Sequence, residues 1–305
     1  MSLDDLRALV AAIDHNSLSR AAQALSITQS AISRRIQHLE NSLGAMLFDR
    51  SSKPPRPTAL AHRVYQQAQQ LLKDADRLVQ LARDDSPPTG VFRIGFTQLV
   101  ADIVLFDAVR GLKQRFPALE IHARTAWTAR LLPQLQRGEL DAATLLLPHK
   151  GKLPAGLDGR FITALDMVVV QSRKQPLVAS RTDLRALAAH EWILNPLGCG
   201  YRAVLERAME NVGHQLALSV DTHGIENQLR MISEGMGLGL VPANLLARSP
   251  CAPALVPVAV TDFSLKLDVW MGYPVQLGNL AQAAALMADT VAAGFTNERP
   301  QPAAA

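Results

Sequence analysis

Apolar residues near the N-terminus recur at helical spacing in three short segments. The stripe of the first segment consists of Leu3, Leu6, Leu9, Val10 and Ile13. The second and third segments span residues 21–25 and 32–43, and residues 26–28 join them closely. Thr28 precedes the third segment, where a threonine side chain can accept the free N–H groups of a helix start. The pattern therefore predicts a helix-turn-helix with a first helix packed across it.

The third segment has two different faces. Its apolar face carries Ile32, Ile36, Leu39 and Leu43. Its polar face carries Gln29, Ser30, Ser33, Arg34 and Gln37. Glutamine can pair twice with an adenine edge, arginine binds guanine or phosphate, and serine binds either. This face favours base reading in a major groove of DNA, and a small helical bundle with a solvated polar face is the alternative.

The same region carries a sequence motif. It reads Arg20-Ala21-Ala22, Leu25, Thr28-Gln29-Ser30-Ala31-Ile32-Ser33-Arg34, Leu39-Glu40, Leu43-Gly44 and Leu47-Phe48-Asp49-Arg50. In this order and this close to the N-terminus, these residues resemble the LysR-type transcriptional regulators. Many members carry Pro where this chain has Ser30, although Ser is also common there. The resemblance implies a protein that binds double-stranded promoter DNA and a small-molecule effector.

A proline-rich stretch, residues 48–58, follows and predicts a hairpin, the wing of a winged helix-turn-helix. Between Arg20 and Arg63 the chain has seven basic and two acidic residues, whereas the net charge of the whole chain is only +4. Such a local basic patch fits a DNA-binding module, and basic residues of the wing would contact phosphates unless the wing is merely a solvated loop. The predicted DNA-binding residues are Arg20, Thr28, Gln29, Ser30, Ser33, Arg34, Gln37, Arg50, Lys53 and Arg56.

Residues 59–83 predict a long helix with a heptad seam. The seam consists of Val64, Ala68, Leu71, Ala75, Leu78 and Ala82. A helix of roughly 40 Å is too long for the small N-terminal domain to cover, so we expect the seam to meet a second copy of the chain. A two-fold dimer would match a palindromic DNA site, and the resembled family implies further pairing into a tetramer. Residues 84–90 then form a hinge.

The remaining chain alternates short apolar runs with amphipathic segments, which predicts an α/β fold with mostly parallel sheets. The resemblance implies two Rossmann-like subdomains of the periplasmic-binding-protein type, with an effector cleft between them. The residues of this region that carry the resemblance are Arg115-Phe116-Pro117, Gly138-Glu139-Leu140-Asp141 and residues 235–242. The chain should cross between the subdomains near residues 161–166 and 261–268.

The predicted domain boundaries follow from this organisation. Residues 1–58 form the winged helix-turn-helix, residues 59–89 the linker helix and hinge, and residues 90–295 the effector-binding domain. Within the last, subdomain I is expected at about 90–163 and 267–295, and subdomain II at about 164–266. Residues 296–305 are expected to be a disordered tail.

Ligands of open α/β folds bind at the carboxyl ends of strands, where helix N-termini favour anions. By that rule and by the family resemblance, the predicted effector-binding residues are Thr97, Gln98, Trp127, Thr128, Leu147, Cys199, Tyr201, Arg202 and His223. Competing roles stay open: Thr97 as a helix cap, Trp127 as packing and Arg202 as a partner of Glu206. Thr97, Thr128 and Arg202 together favour a small organic acid, while His223 and Glu226 leave an amino acid open.

Other classes of function find little support in the sequence. Residues 235–239 contain three glycines at alternate positions, but they follow a helix and precede a strand, the reverse of a dinucleotide loop. The sequence contains no Gly-x-Ser-x-Gly nucleophile elbow, no phosphate-loop lysine motif and no His-Glu-x-x-His zinc-protease motif. Neither an enzyme nor a cofactor or metal is therefore expected. Cys199 and Cys251 lie too far apart for a metal pair or disulfide framework, which argues against cysteine redox sensing.

We expect a cytoplasmic protein, because no secretion signal is apparent and residues 280–295 are too short to span a bilayer. Besides DNA, effector and a second copy of itself, RNA polymerase is a further candidate partner. The alternative interpretation is a cytoplasmic α/β solute-binding or enzymatic protein whose N-terminal helices serve only assembly. DNA binding by the chain would separate the two.

Overall fold

A computed structural model describes residues 1–49, 51–52, 55–81 and 86–296, without the side chains at positions 73, 76, 77 and 79–81. The chain forms two compact units, Met1–Asp84 and Asp85–Ala305, here called the head and the sensor. The predicted contacts of Arg50, Lys53 and Ala82 lie outside the described residues, as does most of the predicted tail.

The head is helical apart from a short hairpin. Its elements are α1 (Leu3–Asp14), α2 (Leu18–Ala24), α3 (Gln29–Leu43), β1 (Phe48–Asp49), β2 (Arg56–Pro57) and α4 (Ala59–Leu81). Ser2, Ser17 and Thr28 each accept a backbone N–H in the first turn of the helix that follows them, which satisfies groups that a helix start leaves unpaired. The expected cap at Thr28 is confirmed.

The core of the head lies between the first three helices and the start of α4. Ile32, Ile36 and Leu39 of α3 are buried in it, as the apolar periodicity predicts. Leu43 is 42% exposed, so its assignment to this buried face was wrong. The reason is its position as the last residue of α3, immediately before Gly44 turns the backbone to a φ of +65°.

The predicted heptad seam divides into two parts along α4. Ala68 is only 1% exposed and Val64 packs beside it against the core of the head. Ala68 therefore stabilises its own chain, which corrects its assignment to a dimer interface, while the half-buried Val64 stays a predicted contact. Leu71 is 49% and Leu78 70% exposed, with Ala75 in between half-buried. The sequence pattern alone could not separate the two parts, because both follow the same spacing.

The sensor alternates strands and helices. Its strands are β3 (Gly90–Phe96), β4 (Leu119–Thr125), β5 (Ala142–Pro148), β6 (Leu157–Ser172), β7 (Arg181–Thr182), β8 (Glu191–Leu194), β9 (Ala217–Asp221), β10 (Gly239–Pro242), β11 (Leu255–Val260) and β12 (Leu265–Pro274). Its helices are α5 (Gln98–Arg115), α6 (Thr128–Gln136), α7 (Leu184–Leu187), α8 (Gly200–Asn211), α9 (Ile225–Ser233), α10 (Ala243–Arg248) and α11 (Leu280–Thr296), with a 3₁₀ turn at Ala252–Ala254.

One eight-stranded sheet runs through the sensor in the order β4-β3-β5-β12-β6-β11-β7, with β10 also paired to β6. Strands β3, β4 and β5 are parallel, as are β8 and β9 in a separate pair. The two crossings are made by β6 and β12, which pair with each other antiparallel over the whole length of β12. The expectation of mostly parallel sheets therefore holds for the βαβ parts and not for the crossing strands.

The described part of the sensor contains four apolar clusters, of which two are the largest. Phe92, Phe96 and Met287 lie in the core that joins β3, α5 and α11, and Trp192 and Leu205 lie in the core that joins β8, α8 and β10. Among the described residues, every helix is too short or too polar to cross a membrane. The carboxyl ends of β3, β5 and β8 meet between the two cores, and this arrangement positions the cleft.

Candidate nucleic-acid interface and effector cleft

The polar face of α3 is open to solvent. Gln29, Ser30, Ser33, Arg34 and Gln37 are all exposed, while the opposite face of the helix is buried in the head. The other described residues predicted to bind DNA, Arg20, Thr28 and Arg56, are exposed too. A capped helix that presents only polar side chains can enter a major groove without exposing its apolar face.

Neighbouring hydroxyls hold the start of this polar face in place. The Ser19 hydroxyl donates to Oε1 of Gln29 at 2.9 Å, and the hydroxyls of Thr28 and Ser30 lie 3.0 Å apart. Ser19 therefore orients the Gln29 amide before any DNA is bound. This role of Ser19 was not predicted from the sequence, because the contact joins α2 to α3 across the turn.

The two arginines of α3 have different surroundings. Arg35 donates to the Asp4 carboxylate at 3.0 Å and so ties α3 to α1. Arg34 makes neither a hydrogen bond nor an ion pair with the described residues. Of the two, Arg34 is the one available to a partner molecule.

A second tie between α3 and α1 runs through Asp5. The His38 ring nitrogen Nδ1 lies 2.8 Å from Oδ2 of Asp5, and Ser2 donates its backbone N–H to the same carboxylate oxygen at 2.7 Å. Burial alone would raise the pKa of Asp5, but the hydrogen bonds from Ser2 and His38 together lower it below the ordinary value. The ionised form of Asp5 is thus stabilised in the folded head.

The wing is anchored by a buried carboxylate of α3. Oε1 of Glu40 accepts the backbone N–H groups of Leu47 at 2.7 Å and Phe48 at 3.1 Å. The hairpin then pairs Phe48 with Pro57 and Asp49 with Arg56. Glu40 thereby fixes where the wing leaves the recognition helix, a role that its place in the sequence motif did not reveal.

A cavity of about 220 Å³ opens between the two halves of the sensor. It is lined by Thr97, Trp127, Thr128, Ala129, Leu146, Pro148, Gly198, Cys199, Gly200, Tyr201, Val204, Arg207 and Leu267. Five predicted effector-binding residues, Thr97, Trp127, Thr128, Cys199 and Tyr201, come together there. In the described structure Gln98, Leu147, Arg202 and His223 do not line it.

Arg202 requires a correction, because its guanidinium is used by the fold. The residue is 6% exposed, and it donates from Nε to Glu206 at 2.7 Å and from Nη1 to the Asn195 carbonyl at 3.0 Å. The competing role considered for Arg202, a pair with Glu206, is the one that the structure shows. An effector in the cavity would meet a different arginine of α8, Arg207.

The other three residues also have local roles. Leu147 is buried in an apolar cluster at the end of β5. Gln98 donates to Asp102 at 2.7 Å along α5. His223 stacks on Trp127, with ring centroids 5.8 Å apart and planes 17° apart. Of these, His223 remains close to the cleft, as the outer neighbour of a lining residue.

Two lining threonines tie loops of the cleft to β5. The backbone N–H of Thr97 donates to the hydroxyl of Thr144 at 2.8 Å, and Oγ1 of Thr128 accepts the N–H of Leu146 at 2.9 Å. Thr97 stands at the start of α5, but its side chain caps no N–H of that helix. The hydroxyl of Thr97 also lies 3.3 Å from that of Thr144, so both lining hydroxyls are tied to β5.

Trp127, which directly precedes α6, closes one side of the cavity and packs against the loop that precedes α8. Besides stacking on His223, it lies so close to Gly198 that a Cβ there would come within 2.8 Å of the indole Cδ1. Gly198 also has a φ of +96°, which residues other than glycine rarely adopt. Glycine at this position therefore permits both the turn and the contact.

A buried polar group of three residues adjoins the cavity, and two of them, Cys199 and Tyr201, line it. The amide of Asn195 donates to the Tyr201 hydroxyl, which also interacts with Cys199. Burial raises the pKa of the Cys199 thiol to about 11 and raises that of Tyr201 as well. Both side chains are therefore neutral at physiological pH. Cys199 and Cys251 are free.

A second cavity, of about 160 Å³, lies between α5, α9 and α10. Asp102 and Glu226 contribute carboxylates to its wall and Arg248 a guanidinium. Burial is the largest effect on Asp102 and raises its pKa, which the Gln98 amide and the Ile225 N–H partly oppose. Glu226 accepts a hydrogen bond from Ser249 at 2.9 Å. The sequence pattern did not single out Asp102.

Two family models match the chain. The model for the bacterial regulatory helix-turn-helix protein of the lysR family matches residues 3–62, and the model for the LysR substrate binding domain matches residues 85–293. The chain belongs to the LysR family. The resemblance proposed from the N-terminal motif is thereby confirmed, and with it a fold made of a helix-turn-helix and an α/β substrate-binding domain.

Individual relatives of this LysR-family chain are distant. It is 28% identical over 247 residues to the HTH-type transcriptional regulator CzcR of Bacillus anthracis, an alignment that covers 79% of this chain and 80% of the relative. A full-length OxyR variant from Pseudomonas aeruginosa is similar in structure, with a TM-score of 0.68, 19% identity and coverage of 96% and 98% of the two chains. Full-length CbnR complexed with its target DNA gives a TM-score of 0.59 at 19% identity, covering 95% and 100%.

Proposed function

We propose that the polar face of α3 reads base edges in promoter DNA and that the cavity in the sensor binds the small molecule that controls this regulator. Membership of the LysR family makes the protein a DNA-binding transcriptional regulator. The observation that carries the finer proposal is the exposed set from Gln29 to Gln37 on a capped helix, with Gln29 already held by Ser19. Arg20, Thr28 and Arg56 would add phosphate contacts around it.

The link from effector to DNA would use the two-part sensor and a second copy of the chain. A ligand that binds one setting of the two subdomains more tightly shifts the population toward that setting. Leu71 and Leu78 are the apolar residues of α4 that remain exposed for a dimer contact. We propose that the subdomain setting changes the spacing of DNA-reading heads in a dimer or tetramer on promoter DNA, with RNA polymerase as a further partner.

The proposed effector is a small organic acid, bound rather than converted. The hydroxyls of Thr97 and Thr128 at the cavity wall can orient such a ligand.

Cys199 is a poor nucleophile with a pKa of about 11. Acyl transfer by a thiolate is therefore disfavoured in this cavity, and the regulator is preferred over the enzymatic alternative. The same raised pKa keeps redox sensing through Cys199 disfavoured. We further propose that the protein acts in the cytoplasm.

A gel-shift titration on the DNA that flanks its own gene tests the proposed function. The wild-type chain should bind this DNA more tightly than random DNA of equal length, and the preference should persist as salt is raised. Light scattering on the same sample should report at least a dimer. Equal affinity for both DNAs at every salt concentration would contradict sequence-specific regulation from this site.

A further inference from the structure

We propose that Arg207 is the residue that selects the effector's charge, and that the cavity takes a single-ring carboxylate. This inference rests on the proposed function, since it assigns the ligand class of the same cavity. Arg207 takes the place of Arg202 as the proposed partner of an anionic effector, because the Arg202 guanidinium already donates to Glu206 and to the Asn195 carbonyl.

Helix geometry places the two arginines of α8 on opposite sides. At about 100° per residue, Gly200, Val204 and Arg207 fall within one narrow face of a helix, and position 202 falls on the other side. The first three residues line the cavity, and Arg202 is buried behind it. Arg207 therefore faces the cavity because of its angular position around α8. It lies at the outer end of the cavity.

The charge around the cavity is unbalanced. Arg207 is the charged side chain among its described lining residues, and no carboxylate accompanies it. The guanidinium is exposed and makes one hydrogen bond within the described chain, from Nε to the Ala203 carbonyl at 3.2 Å. That bond directs the stem while leaving both terminal nitrogens able to donate. A guanidinium in this state matches a carboxylate in a two-pronged arrangement.

Helix starts add to this positive field. Helices α6 and α8 begin at the cavity wall, and neither Trp127 nor Cys199 caps its helix with a side-chain hydrogen bond. Backbone N–H groups at such starts favour a negative charge. With Arg207 at the rim, the cavity disfavours a cation and favours an anion.

The size and walls of the cavity define the rest of the ligand. An engineered apolar cavity of about 150 Å³ takes up benzene, so 220 Å³ has room for one ring with a small charged substituent. Trp127, Leu146 and Val204 offer apolar walls for that ring. A flat ring against the indole, with its carboxylate toward Arg207, satisfies both kinds of wall.

Calorimetric titration of the full chain with benzoate and with neutral benzamide tests this assignment. The wild-type chain should bind benzoate roughly 10- to 100-fold more tightly than benzamide, as expected for one charge-assisted pair. Arg207→Gln should lose most of that preference and Arg207→Lys should retain part of it. Arg230→Gln is the matched control, because Arg230 is an exposed arginine of the sensor that does not line the cavity.

Each contrary result has a distinct meaning. Arg207→Gln that binds benzoate as tightly as the wild type would overturn the role of Arg207. Equal affinity for benzamide, or no binding of benzoate, would overturn the assignment of a ring carboxylate. Gel shifts on the same samples separate these failures from failure of the proposed function, since wild-type and Arg207→Gln chains should bind DNA equally without ligand.

Discussion

Helices α3 and α8 each carry two arginines, and in each helix the fold uses one of them. Arg35 pairs with Asp4 and leaves Arg34 exposed, while Arg202 pairs with Glu206 and leaves Arg207 at the cavity. For α3 the sequence pattern selected the available arginine, and for α8 it selected the buried one. Position after a strand thus predicts where a helix starts, but phase around that helix decides which side chain reaches the site.

The largest expected effect separates Arg202 from Arg207 by stability. Arg202→Ala leaves the Glu206 carboxylate and the Asn195 carbonyl without their donor and should lower the free energy of unfolding by roughly 3 kcal/mol. Arg207→Ala should change it by less than about 0.5 kcal/mol, since the side chain is exposed. Urea denaturation of both variants measures this. Equal destabilisation would show that Arg207 also serves the fold.

A smaller effect is expected at the wing anchor. Glu40→Ala removes the acceptor of two buried N–H groups, those of Leu47 and Phe48, and should cost about 2 kcal/mol. DNA affinity should fall as well, because the wing loses its fixed departure from α3. Glu40→Gln retains a carbonyl acceptor and should restore most of both. Chemical denaturation and gel shifts provide the two measurements, and a fully stable Glu40→Ala chain would refute the anchor.

The smallest effect is expected on the pH dependence of the free energy of unfolding at acidic pH. One buried carboxylate in each unit contributes to it. The buried Asp5 and Asp268 carboxylates have pKa values below the ordinary 3.8, although burial alone would raise them: Ser2 and His38 lower the first, and His149 and Lys150 lower the second. A lowered pKa stabilises the fold above the ordinary value, and this contribution is lost as pH falls through the lowered pKa.

Denaturation at a series of pH values from about 3 to 7 tests this, since the ordinary aspartate pKa lies inside that window. Asp268→Asn should reduce stability most at neutral pH and least at the acid end. A constant difference across the series would show that His149 and Lys150 do not act through the charge of Asp268.

The head was more predictable from sequence than the cleft for a physical reason. Residues of α3 that face the core recur in one short segment, so local periodicity separates them from Gln29 and Arg34. Thr97, Trp127 and Cys199 also come together as the strand-end rule predicts. Arg202 was misassigned although its i+4 partner Glu206 is visible in the sequence, because local spacing does not decide between an ion pair along α8 and a ligand contact. Ala68 was misassigned because the core of the head that covers it is built by other helices.

Base reading by the polar face of α3 is tested most directly by DNA affinity. Wild-type and Gln29→Ala chains are titrated with the flanking-gene DNA and with random DNA at matched salt concentrations. We expect a loss of roughly 1–3 kcal/mol on the specific DNA and nearly unchanged binding to random DNA. Ser19→Ala should lose a smaller part of the same preference, because it frees the Gln29 amide. Equal losses on both DNAs would contradict base reading by this face and leave only phosphate contact.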